Sequence, residues 1–136
     1  MAGARRKARA LALQALYEVD ATGHKVDDVV TRVVADKALS QENNAFVHEL
    51  VSGVVQNREK LDQNIKTFAP AWPVEQISVV DRNILRLAIF EILIDNKVPI
   101  KVAINEAVEL AKHFGSDSSA RFVNGVLSSV SSLATR

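Results

Sequence analysis

The run from Val98 to Leu127, VPIKVAINEAVELAKHFGSDSSARFVNGVL, constrains the fold more than any other part of the sequence. It reads as two amphipathic helices joined by a Gly-Ser-Asp connection. Pro99 stands where a helix begins without losing a needed donor, and Gly115 where a helix most easily ends. Ile100, Ala103, Ile104, Ala107, Leu110, Ala111 and Phe114 repeat at helical spacing, with Lys101, Asn105, Glu109 and Lys112 opposite. Asp117 or Ser116 is placed to cap the next helix, whose buried stripe would be Phe122, Val123, Val126, Leu127 and Val130. Asn124-Gly125 falls in mid-helix, where glycine costs about 1 kcal/mol relative to alanine, so a close neighbour is expected there.

Helical spacing recurs upstream. Residues 4–21 place Ala8, Leu11, Ala12, Ala15, Leu16 and Val19 on one face, with Arg6, Leu13 and Tyr17 nearly opposite; Thr22-Gly23 ends this helix. A short helix over 26–36 buries Val26, Val29, Val30 and Val33, the 3–4 spacing outweighing the strand preference of valine. Ser40 can cap a third helix, whose stripe runs from Phe46 toward Phe68 and is interrupted at Asn57-Arg58, where a bend or two consecutive helices would fit. Pro70-Ala-Trp-Pro73 breaks the pattern and divides the chain into halves of about 1–69 and 74–136. Ser78-Val-Val-Asp81 resembles a capping box with aspartate in the usual glutamate place. The helix after it, VVDRNILRLAIFEILI, is apolar over most of its circumference and should be central; Glu91 within it needs an arginine or a helix N-terminus as partner. The expected fold is all-α: about six or seven helices in two helical subdomains of a single 1–136 domain.

Several function classes drop out. With no cysteine there is no disulfide, thiolate zinc site or cysteine nucleophile. No apolar run approaches the ~18 residues of a membrane span, and the arginine-rich start lacks a secretory signal's apolar core, so a soluble cytoplasmic protein is expected. His24, His48 and His113 are scattered, His48-Glu49 lacks the second histidine of a zincin, and no phosphate-cradling glycine loop or dinucleotide fingerprint occurs. Ser116, Ser118 and Ser119 sit in a capping context, and Glu106 and Glu109 read as solvated. No catalytic residue, metal site or cofactor is expected.

What remains is charge. Of the 17 basic and 16 acidic side chains, residues 1–10 hold Arg5, Arg6, Lys7 and Arg9 and no acid, leaving the rest slightly negative. Local basicity on a near-neutral body points to a discrete polyanion contact. Such contacts hold nucleic-acid phosphates without reading sequence, whereas bases of single-stranded RNA need aromatic or guanidinium platforms. Phe122, beside Arg121, Ser118 and Gly125, could offer one. The competing readings are a solvated helix start and a core phenylalanine.

ARRKARALALQALY at 4–17, DRNILRLAIFEI at 81–92 and VPIKVAINEAVELAKHFG…RFVNGVL at 98–127 closely resemble the NusB family of bacterial transcription antitermination factors. The resemblance spans nearly the whole chain in order. NusB-like domains also begin a ribosomal-RNA cytosine methyltransferase, but this sequence closes at Arg136 without an α/β cofactor domain, so the stand-alone factor is the better match. The resemblance implies an all-helical, non-enzymatic protein that pairs with NusE, a small-subunit ribosomal protein. The pair would bind the boxA element of nascent ribosomal RNA and load it into an antitermination complex on RNA polymerase. It carries the arginine-rich motif onto Arg5, Arg6, Lys7 and Arg9, and extends the RNA surface to Ser118, Arg121 and Phe122. Some relatives carry an acid in place of Ser118, so its absence leans toward stronger RNA binding. Leu13 and Tyr17 are expected on a protein-partner surface. The alternatives are a purely structural helical adaptor, a homodimer that hides the arginines, or a stand-alone relative of the methyltransferase RNA-binding domain.

Overall fold

The computed structural model describes residues 2–134; Met1, Thr135 and Arg136, the ends of the expected domain, lie outside the described residues. Seven α-helices follow in order among them: α1 (Ala2–Thr22), α2 (Val26–Val34), α3 (Gln41–Gln56), α4 (Arg58–Phe68), α5 (Val79–Ile89), α6 (Ile100–Phe114) and α7 (Ser119–Val130). No strand occurs among the described residues. None of the helices is long and apolar enough to cross a membrane.

The chain forms two compact units, residues 1–56 and 57–136. In the first, α1 packs on α2 and α3, and α2 on α3. Ala8, Ala12 and Ala15 are fully buried, because their small side chains let the neighbouring helices close in. Gly23 takes φ +76° and its N–H donates to Val19 O at 2.8 Å, a left-handed stop that glycine adopts without strain. Val29, Val30 and Val33 form the buried face of α2, and Ser40 Oγ accepts from Asn43 N at 3.0 Å to start α3.

The second unit is built on α5. It packs against α4, α6 and α7, and every residue from Asn83 to Ile89 is buried, as its all-round apolar character predicts. Arg86 lies inside this helix stack, with Nε donating to Asp62 Oδ1 at 2.7 Å, Nη2 to Asp62 Oδ2 at 3.0 Å and Nη1 to Asn83 Oδ1 at 3.2 Å. The helix continues as a π-helical segment, Phe90–Asp95, that buries Glu91 and closes at Asn96 in the left-handed region.

Four expectations need correction. The units divide at Asn57 and not at Pro70–Pro73, because α4 packs on α5 and α7 and so belongs with the helices after the prolines. Glu106 is buried: it shares the inner stripe of α6 with Ala103, Ala107 and Leu110. Phe114, at the end of that stripe, is exposed. Neither Asp117 nor Ser116 caps α7; instead buried Ser119 turns back and its Oγ accepts from Ser116 N at 2.8 Å. This explains Gly115, whose φ of −95° any residue tolerates. A Cβ there would fall 2.4 Å from Ser119 Oγ and 2.8 Å from the Ala111 carbonyl oxygen. Gly115→Ala is therefore expected to cost about 1–3 kcal/mol, read as a lower urea midpoint with an unchanged slope.

Candidate nucleic-acid interface

The helical phase of α1 sends its four cations to different surroundings. Arg6 and Lys7 are exposed, and Lys7 Nζ donates to Lys37 O at 2.8 Å, in a loop where Asp36 and Ala38 both take positive φ. Arg5 is half-buried: its guanidinium lies 3.9 Å over the Phe46 ring centroid and Nη2 donates to Glu42 Oε1 at 3.2 Å. Arg9 is 4% exposed, its guanidinium 5.3 Å from the same ring. Arg9 is thus a correction to the expected row of phosphate contacts. One turn beyond Arg5, it points at α3, so its charge rests against Phe46 inside the first unit. Phe46 was missed as a functional residue. Its helical position reads as core, and no local pattern reveals that arginines cover it.

The expected partner surface also divides. Leu13 is 4% exposed, so it belongs to the core, because α1 is covered by both α2 and α3. Tyr17 is 46% exposed and keeps its place on the surface.

In the second unit, Ser118, Arg121 and Phe122 come together in a groove of about 380 Å³, shared with Trp72, Gln76, Ile77, Ser78 and Asp81. Ser118 and Arg121 are exposed, while Phe122 is half-buried and contributes to both core and groove. The volume falls in the range of small-ligand clefts, roughly 300–1,000 Å³. Trp72 is 54% exposed and is the second residue that sequence reasoning passed over. Between Pro70 and Pro73 it reads as part of a chain break, yet the break turns an aromatic face to solvent beside Phe122. Gly125 is a correction: it is exposed, with nothing within 4 Å of a Cβ placed there, so no helix packs on it.

Together these features offer exposed cations at the start of α1 and, separately, an aromatic groove lined by one cation, Arg121, one carboxylate, Asp81, and several neutral polar groups. The cations suit a polyanion and the groove suits flat heterocycles; neither assembles a nucleophile with a base.

Comparison with known proteins is consistent in every direction. Residues 6–132 match the sequence model of the NusB family. A transcription antitermination protein NusB from Dehalococcoides mccartyi is 60% identical over 131 residues, spanning 96% of this chain and 92% of its own length. One from Bacillus licheniformis is 45% identical over 129 residues, spanning 94% of this chain and 96% of its own. Among solved structures, T. maritima NusB superposes with a TM-score of 0.90 at 29% identity, covering 97% of this chain and 93% of that one. A chain from the crystal structure of antitermination factors NusB and NusE in complex with double-stranded RNA gives 0.89 at 26% identity, covering 98% and 99%.

Proposed function

Because the chain belongs to the NusB family, we propose that it is a non-enzymatic, RNA-binding transcription antitermination factor that acts with NusE. It binds the boxA element of nascent ribosomal RNA in the cytoplasm, and the resulting complex is delivered to RNA polymerase. The observation that carries this reading is the convergence of Ser118, Arg121 and Phe122, with the exposed Trp72, on one groove. Aromatic faces beside a guanidinium hold unstacked bases, at roughly 1–3 kcal/mol per stacked base. Arg6 and Lys7 hold phosphates, which makes binding steeply salt-dependent. Tyr17 contributes to a protein-partner surface. No bond is made or broken.

Arg5 enters this scheme as a held cation. Its ion pair with Glu42 means that an RNA phosphate must displace a carboxylate to reach it. Glu42→Gln is therefore expected to raise affinity for RNA about two- to fivefold at low salt, in line with what exposed ion pairs contribute, with the gain fading as salt rises. An affinity that is unchanged or lower would mean that Arg5 takes no part in binding.

The experiment that tests the function is a gel-shift titration of a boxA-containing RNA with Phe122→Ala beside the parent protein. Loss of a stacking platform is expected to weaken binding at least about fivefold. Equal affinity would leave the groove without a role.

A further inference from the structure

We propose that the loop between α2 and α3 positions Lys7 for phosphate: the Lys37 carbonyl holds its ammonium in place before RNA arrives. This rests on the RNA-binding reading above and deepens it, by giving a positioning role to Asp36, Lys37 and Ala38, none of which belongs to the arginine-rich motif.

The starting point is a stretch of backbone that ordinary residues avoid. Asp36 and Ala38 take φ of +60° and +57°, on either side of Lys37. Left-handed backbone is costly for a residue with a Cβ; aspartate offsets part of that with its short polar side chain, and alanine has nothing to offset it with. Such residues persist where their surroundings hold them, and they gather at ligand clamps. Burial does not hold them here, since all three residues are exposed. Neither does a hydrogen bond from Ala38 N–H, which has no partner among the described residues. What the turn achieves is the aim of one carbonyl. Lys37 N donates to Val34 O at 3.2 Å, which ties Lys37 to the end of α2, and Ser40 caps the start of α3. Between those anchors lies the peptide plane joining Lys37 to Ala38, and its oxygen accepts from Lys7 Nζ at 2.8 Å.

The chemistry of that contact favours an anion. An ammonium carries three N–H donors, so one bond to Lys37 O leaves two for a phosphate. The carbonyl is neutral and repels no phosphate, unlike the Glu42 carboxylate that holds Arg5. Lysine is among the side chains that lose most freedom when ordered, so one held in advance gives up less when the anion arrives. Lys7 keeps its exposure while held, which leaves the ammonium open to a ligand from solvent.

The test is a double-mutant cycle of Lys7→Ala and Ala38→Pro in the full chain, titrated against a boxA-containing RNA at low salt. Proline fixes φ at about −65°, which turns the Lys37 carbonyl away from Lys7, and Ala38 has no N–H bond to lose. Ala38→Pro alone is expected to weaken binding about two- to tenfold, with the slope against salt unchanged because Lys7 still reaches its phosphate. With Lys7→Ala already present, Ala38→Pro is expected to change nothing further. Unchanged affinity in Ala38→Pro, or an equal loss in both backgrounds, overturns the proposal. A second measurement, side-chain nitrogen NMR of the unmodified protein, does not depend on how Ala38→Pro folds. The Lys7 signal, identified by its absence from Lys7→Ala, is expected to exchange its protons more slowly than that of Lys101, which is exposed and without a partner among the described residues. Equal rates overturn the proposal and leave the RNA reading standing. An unmodified protein that binds no RNA at low salt defeats the RNA reading itself, and the proposal with it.

Discussion

Asp62→Ala is expected to destabilise the protein by about 3 kcal/mol, the largest stability loss that any single polar substitution here should produce. Arg86 is buried within α5, and Asp62 receives both its Nε and Nη2 donors. Removing the carboxylate takes both of these acceptors from a guanidinium that is buried among the helices of the second unit, where Asn83 Oδ1 also accepts from it. The expectation sits at the lower end for broken buried pairs because Asp62 itself keeps partial access to water. Arg86→Met should be milder: it fills the space with apolar volume, and Asp62 can turn to solvent. Equilibrium urea unfolding of the two variants measures the contrast. Equal midpoints for Asp62→Ala and the parent would show that the pair adds nothing.

The second large effect concerns RNA. Arg6 and Lys7 are the motif cations that the fold leaves exposed, so replacing both with alanine should remove about two phosphate contacts. For single-stranded RNA that lowers the slope of log affinity against log salt by roughly 1.4, and weakens binding by about tenfold or more at moderate salt. Arg9→Ala should behave differently. Its guanidinium is enclosed against Phe46, so the variant should lose stability while its salt slope stays near the parental value. A slope that falls with Arg9→Ala and not with the Arg6 and Lys7 pair would reverse this division.

Which parts of this could be read from the sequence follows a physical line. Helices were legible because 3.6-residue spacing is a local signal: α2, α6 and α7, the middle of each buried stripe, the Ser40 cap and the Gly23 stop appear where the residues indicate, whereas Val26 and Phe114 at the stripe ends stay out of the core. The central place of α5 was legible because only a helix covered on several sides tolerates apolar residues all round. What failed depended on neighbours distant in sequence. Leu13 and Arg9 lie off the main stripe of α1 and read as surface, yet α2 and α3 cover both sides of that helix. The division at Asn57 was hidden because prolines mark where a helix must stop, while unit membership is decided by which helices α4 touches. Gly115 was expected for its backbone freedom and proved necessary for the space its missing Cβ leaves to Ser119. In the candidate groove, Ser118, Arg121 and Phe122 were found from α7 alone, since they share one turn. Asp81 reaches it because α5 packs on α7, and Trp72 comes from the proline-bounded segment between α4 and α5, so neither is visible from α7 alone.

Electrostatic and base-mediated RNA binding shared with NusE is tested by titrating boxA-containing RNA with the unmodified protein, with and without NusE, at about 50 and 200 mM salt. The expected result is binding at the lower salt, tighter with NusE, and falling steeply at the higher salt. Retention of NusE with no RNA shift at either salt would contradict it, and would leave the protein a helical adaptor.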